Sequence, residues 1–156
     1  MTTNAEGTSA AMTEYVTTMI GDQLFGLPIE RVHDVFMPER LTRVPLAADD
    51  VEGVLNLRGR IVTAINMRAR LGLPKREDGV ASMAVGVDLR SESYGLLIDS
   101  IGEVLKLPED GREKNPANMD ARMAKMSAGV YRLDGRLMVV LDVDRILELS
   151  SDALAA

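Results

Sequence analysis

The residues predict a mostly β protein made of two similar lobes, and three observations carry that prediction. Gly53–Leu71, GVLNLRGRIVTAINMRARL, lines up without a gap on Gly129–Leu147, GVYRLDGRLMVVLDVDRIL, at an offset of 76 residues. Upstream, Phe25–Phe36, FGLPIERVHDVF, lines up on Tyr94–Leu105, YGLLIDSIGEVL, at an offset of 69 residues. In the longer block of each copy, apolar stretches flank a two-residue turn, Arg58-Gly59 in the first and Asp134-Gly135 in the second, which is the pattern of a β-hairpin. Self-similarity on this scale means two copies of one supersecondary unit, each burying its apolar face with help from the other.

Taken in order, residues 1–13 are small and polar without periodicity and read as a disordered tail. Tyr15–Ile20 and Gln23–Leu27 form a hairpin about Gly21-Asp22. Ile29, Val32, Val35 and Phe36 stand at helical spacing, while the matching stretch of the repeat, Ile98–Leu105, contains Gly102, so a short helical turn leading into a strand is expected. Pro38 and Pro45 bracket an extended piece, Leu41–Val44. Val51–Leu57 and Ile61–Ile65 are the strands around Arg58-Gly59, and Met67–Leu71 is one helical turn closed by Gly72 and Pro74.

Lys75–Gly79 is a charged loop between the copies. The second copy gives strands at Met83–Val87, Tyr94–Ile98 and Gly102–Leu107. Met119, Met123 and Met126 follow at spacings of 4 and 3, a helical stripe that suits a face packed on the core better than a plastic partner surface. A last hairpin, Gly129–Val143, leads to a short helix, Asp144–Leu149, and an unstructured end at 150–156.

A chain of 156 residues suits one compact domain or two small lobes sharing a core, because either lobe alone would bury little surface. Net charge of −6 and 3% aromatic content count against a nucleic-acid binder, which needs cationic surface and stacking platforms. With no Cys, disulfides and thiolate metal sites are excluded and a reducing compartment carries no penalty. The N-terminus lacks a basic start and an apolar core, and no run reaches the length of a membrane span. The cytoplasm, without membrane insertion, is the expected location.

Chemistry is sparse. His33 is the single histidine and its counterpart is Gly102, so an ordinary surface residue is expected rather than a catalytic base or metal ligand. Nucleophile, phosphate-loop and dinucleotide motifs are absent. Asp22, Asp88, Asp99 and Asp142 fall in turns or at strand ends, where local bonding explains an Asp. Between Gly53 and Arg76 stand Arg58, Arg60, Arg68, Arg70, Lys75 and Arg76 with no acid among them. Such a run is either a solvated face or a locally positive surface that meets acidic groups on another protein. Arg58 sits in a turn slot that gives arginine no conformational advantage, which makes it a candidate for contact with a partner.

The blocks IGDQLFGLPIERVHDV, TRVP, VEGVLNLRGRIVTAINMRARLGLP, YGLLIDSIGEVLKLP and AGVYRLDGRLMVVLDVDRIL together resemble the CheW-type chemotaxis coupling proteins, from about Glu14 to Leu149. The resemblance implies two SH3-like five-stranded β-barrel subdomains, no catalytic activity and no cofactor. Lobes near 14–78 and 79–149, with room for strand exchange between them, are the expected organisation. The implied partners are the cytoplasmic domain of methyl-accepting chemoreceptors and the regulatory domain of a CheA-type histidine kinase. Carried over by position, the receptor-facing residues are Val32, Asp34, Gly53, Arg58 and Val104, lining a groove between lobes with Arg58 at its mouth. The kinase-facing residues are Leu41 and Val44, on an exposed edge of the first lobe. No phosphoacceptor or ATP-site sequence accompanies the fold, so a freestanding adaptor is expected; the alternative is the same adaptor in an array controlling surface motility or gene expression.

Overall fold

The computed structural model describes residues 11–44, 51–74 and 83–148. Residues 1–10, Pro45, the loop Lys75–Gly79 and the end at 150–156 lie outside them. Among the described residues ten strands form two five-stranded sheets. The first half supplies β1 (Met12–Ile20), β2 (Gln23–Pro28), β3 (Asp34–Phe36), β4 (Val51–Leu57) and β5 (Arg60–Asn66). The second supplies β6 (Met83–Leu89), β7 (Glu92–Ile98), β8 (Ser100–Pro108), β9 (Ser127–Leu133) and β10 (Arg136–Leu141). A 3-10 turn, Ile29–Arg31, leads into β3 as the spacing predicts. Short helices α1 (Met67–Arg70), α2 (Ala121–Met126) and α3 (143–148) follow β5, precede β9 and follow β10.

The sheets do not divide the chain at residue 79. One runs β9-β10-β2-β1-β8 and the other β3-β6-β7-β5-β4. The hairpin β1–β2 therefore sits between strands of the second half, and β6–β7 between strands of the first. Each insertion is made through one parallel pairing, β2 with β10 (Leu24↔Met138 to Gly26↔Val140) and β5 with β7 (Val62↔Ser93 to Asn66↔Leu97). Alternation and turn residues specify a strand and its hairpin partner, but not the distant strand on its other side. One expected boundary also shifts. Met12 and Thr13, assigned to the tail, pair with Pro108 and Leu107 as the start of β1.

The hairpin turns differ from expectation in one respect. Arg58 (φ 53°) and Gly59 (φ 84°) are both left-handed, and so are Arg90 and Ser91 between β6 and β7, whereas at Asp134-Gly135 only Gly135 (φ 77°) is. The double left-handed turn thus falls on arginine rather than on Asp, the residue that adopts it more readily.

Three apolar clusters hold the molecule together. Phe36, Leu55, Val62, Ala64, Ala84 and Leu97 fill the interior of one sheet, and Tyr15, Tyr131, Met138 and Val140 that of the other. In the first, both edge strands contribute, Phe36 from β3 and Leu55 from β4, so the sheet is curled into a barrel around its own core. The cores match through the repeat with bulk exchanged across a strand pair. Phe36 faces Ala84 in one barrel, and their counterparts Leu105 and Tyr15 face each other in the second. Tyr131 meets Tyr15 edge to face at 5.5 Å and donates to the Pro108 carbonyl at 3.0 Å; burial, reinforced by the Tyr15 hydroxyl, pushes its phenol well above the usual range.

The third and largest cluster lies between the barrels. Ile20, Phe25 and Leu27 of β1 and β2 and Val130, Val139 and Leu141 of β9 and β10 pack with Ile65, Val85, Val87, Tyr94 and Leu96 of the other sheet. Met67, Met126, Val143, Ile146 and Leu147 close it from the helices. Met119 and Met123 pack against the same cluster, so the methionine stripe is a core face. Asp120 caps α2 by accepting from the Arg122 and Met123 amides, and Asn66 caps α1 by accepting from Ala69.

Leu141→Ala removes a side chain that is 1% exposed in this shared cluster. Chemical denaturation should show a loss of roughly 2–5 kcal/mol; an unchanged midpoint would place Leu141 outside the core.

Candidate functional site

The β4–β5 turn carries the most exposed of the residues expected to contact a partner. Asn56 accepts from the Gly59 amide at 2.9 Å through Oδ1 and closes the turn, so the Arg58 side chain takes no part in shaping it. Instead Arg58 Nη1 donates to Asp34 Oδ2 at 3.0 Å, with the Arg58 side chain 74% exposed and that of Asp34 29%. Residues 24 positions apart are thereby brought together at one corner of the second sheet. One bond from Nη1 leaves the rest of the guanidinium fork turned to solvent, where it can take a carboxylate or backbone carbonyls.

The neighbouring residues are tied in a row. The His33 amide donates to the Gly86 carbonyl at 2.8 Å, and His33 Nε2 lies 3.1 Å from Asp88 Oδ2. Arg60 reaches Asp88 at 3.8 Å and bonds the Ser93 hydroxyl. Arg31 donates to the Asp88 carbonyl at 3.2 Å and to Asp144 Oδ1 at 2.7 Å. The Arg31 bond holds the Asp144 carboxyl below the usual carboxylate range. With its folded value depressed, Asp144 contributes stability above its unfolded pKa of about 3.9, and that contribution is lost as pH falls through the lower folded value.

The basic run is therefore not a free positive face. Arg58 and Arg60 meet Asp34 and Asp88, Arg68 pairs with Asp99, and Arg70 Nη1 donates to the Ile146 carbonyl at 3.0 Å. Lys75 and Arg76 lie outside the described residues. Asp88 and Asp99 likewise bond across the fold rather than locally, whereas Asp142 does bond locally, to the Arg145 amide.

The other expected residues are dispersed. Val32 is half-buried against the shared core. Val104 is 46% exposed but stands on β8, the edge of the first sheet, opposite Val16. Gly53 has a backbone reason to be glycine: a Cβ there would lie 2.4 Å from the Thr42 carbonyl oxygen, where Thr42 and Val54 exchange both backbone bonds at 2.8 Å. Its repeat partner Gly129 makes the same approach to Glu113, with a Cβ distance of 2.8 Å, beside a bridge between Glu113 and Val130. Twofold recurrence ties both glycines to chain crossing.

Leu41 and Val44 do not form the exposed edge expected of them. Both are half-buried, with Leu41 seated on the Phe36 cluster and the segment laid over β4 through Thr42. The exposed apolar residues nearby are Met37 and Ile61, at 66% and 64%, which line a cleft of about 570 Å³ with Arg40, Thr42, Asn56 and Leu57. Met37 gave no signal, since it follows a three-residue strand in a stretch without periodicity. Val35, 39% exposed, is the repeat partner of Val104, so the internal alignment already pointed to it. Among the described residues no group of three or more His, Asp or Glu could hold a metal ion, and no helix is long and apolar enough to cross a membrane.

Two curled five-stranded sheets sharing a central core, with an exposed arginine corner and an apolar cleft, define a double β-barrel module. The chain belongs to the CheW-like family, whose domain model, described as CheW-like domain, matches residues 14–151. It is 31% identical over 135 residues to the chemotaxis protein CheW of Thermotoga maritima, covering 86% of this chain and 87% of that protein. The chemotaxis protein CheW of Rhizobium meliloti is 26% identical, with 94% of each chain covered. In three dimensions the fold matches the crystal structure of the scaffolding protein TtCheW from Thermoanaerobacter tengcongensis with a TM-score of 0.76, at 24% identity over 90% of this chain and 91% of that one.

Gly53→Ala and Gly129→Ala should each lower the melting midpoint, because each drives a methyl group into a backbone carbonyl. A Gly53→Ala protein that melts like wild type but has lost partner binding would make Gly53 a contact residue instead.

Proposed function

We propose that this chain is a non-catalytic adaptor that couples the cytoplasmic tips of methyl-accepting chemoreceptors to the regulatory domain of a CheA-type histidine kinase. Family membership supports the reading, as do the names of the relatives, chemotaxis proteins and a scaffolding protein. The observation that carries it is the Arg58 corner. An arginine is held in a left-handed turn that Asn56 and Gly59 already stabilise, it meets Asp34 through one nitrogen, and the remainder of its fork is open to water. A receptor helix presenting a carboxylate or exposed carbonyls suits that fork. Asp34, beside it, sets the orientation from which the arginine meets the helix.

Val32, Gly53 and Val104 contribute to the receptor side in this reading, Val32 by fixing backbone next to Asp34, Gly53 by admitting the Thr42 segment onto β4 and Val104 as exposed apolar surface. The kinase is assigned to the face around Leu41 and Val44, where the Met37–Ile61 cleft offers apolar area that water gains by losing. The adaptor adds no chemistry. Contacting both partners at once makes the kinase's active and inactive states depend on receptor conformation, and tethering raises the effective concentration of the kinase. It works in the cytoplasm, joined to membrane receptor arrays through its partners.

Arg58→Ala should melt within about 1 kcal/mol of wild type, since its ion pair is exposed. In pull-downs it should lose about tenfold or more of its binding to a chemoreceptor cytoplasmic fragment, the equivalent of a charge-assisted hydrogen bond, and keep its binding to a CheA-type regulatory domain. Equal binding of both partners by variant and wild type would remove Arg58 from the interface.

A further inference from the structure

The chain crosses between barrels twice, and the repeat makes the crossings equivalent. After β2 it passes from the first sheet to the second through Ile29–His33, and after β7 it returns through Asp99. In the repeat alignment Asp99 corresponds to Glu30, next to Arg31, and Arg68 corresponds to Asp144.

Each crossing is pinned by an ion pair to the helix that follows a second hairpin. At the return crossing Arg68 of α1 donates to Asp99 through Nε at 2.9 Å and Nη2 at 2.7 Å. At the outward crossing Arg31 donates to Asp144 of α3 at 2.7 Å. The same mechanical solution thus occurs twice with the charges exchanged, so a residue-by-residue comparison of the halves does not reveal it.

The two pins differ in strength. Asp99 is held by two parallel bonds and also accepts from the Gly21 amide at 2.8 Å, and the paired side chains are 22% and 16% exposed. Arg31 makes one bond to Asp144 with side chains 31% and 50% exposed, and the same nitrogen also reaches the Asp88 carbonyl. Beyond Arg31 come Val32, His33 and a β3 of three residues whose first member, Asp34, holds Arg58. Three residue pairs to β6 and the Phe36 side chain hold this short strand, and the Arg31–Asp144 pin is the ion pair that ties the crossing ahead of it to α3.

We infer that Arg31 and Asp144 are a positioning pair for the Asp34–Arg58 corner: they do not touch a partner, but they set where the Val32–Asp34 segment stands for binding. The binding half of this inference rests on the receptor-facing reading of that corner; the mechanical half does not.

The test uses the full chain with Arg31→Asp, Asp144→Arg and the two combined, read by amide hydrogen exchange and by affinity for a chemoreceptor cytoplasmic fragment, with Arg58→Ala alongside. Each single substitution should speed exchange at His33 and across β3 by tenfold or more, leave β2 and β10 unchanged and weaken binding, and the combined variant should restore both. Unchanged exchange at His33 and β3, exchange raised equally in both sheets, or no recovery in the combined variant would overturn the positioning role. Local, recoverable exchange with binding unchanged in every variant, Arg58→Ala included, would uphold the positioning and sink the receptor-facing reading. If Arg58→Ala alone loses binding, the pair positions the segment without governing recognition, and that half of the inference fails.

Discussion

The parallel pairing of β2 with β10 and of β5 with β7 is the constraint on which the rest of the molecule depends. Each joins a hairpin of one half to a hairpin of the other, so neither half closes a barrel from its own strands. The same arrangement draws strands from both sheets into one central cluster, larger than either barrel's own core. Small β-barrels are hard to stabilise because so much of their surface stays wet. Sharing the largest apolar cluster gives each barrel a core it could not build alone, and it fixes the two barrels against each other.

That rigidity has a consequence for signalling through contacts. In the proposed role, conveying receptor state to a kinase would require the two partner surfaces to stand in a set relation, since a compliant link would absorb the difference between states. Here the relation is held by the shared cluster and reinforced at the crossings by Arg68–Asp99 and Arg31–Asp144. The Asp99 pair is partly dehydrated and bidentate, the geometry in which an ion pair contributes most. The Arg58–Asp34 pair is exposed and contributes little to stability. Electrostatics thus divides between seam and surface, with the strong Arg68–Asp99 pair where the barrels join and a weak one where a partner would compete for the arginine.

Most of the strands were legible because period-two alternation and two-residue turns are local properties. The hairpins, the turn before β3, the helical turn after β5 and the methionine face of α2 all follow from spacing. Strand exchange was not legible in detail, since alternation is silent about non-turn neighbours. The partners of the arginine run were not legible for the same reason: Asp34, Asp88 and Asp99, which meet Arg58, Arg60 and Arg68, lie 24 or more residues away. Leu41 and Val44 were expected at an exposed edge from the family resemblance, but Leu41 packs against the Phe36 cluster. Pairing Gly53 with Gly129 explains both as crossing points, and pairing Val35 with Val104 marks a second exposed valine.

The interlocked architecture is tested most directly by following urea unfolding with residue-resolved NMR, comparing amides of β1 and β2 in one sheet with those of β6 and β7 in the other. Strands that depend on the opposite half for a neighbour and share one apolar cluster must be lost together, so a single midpoint common to both sheets is predicted. Two separated midpoints, with one sheet persisting after the other has melted, would contradict it and show two barrels that fold independently.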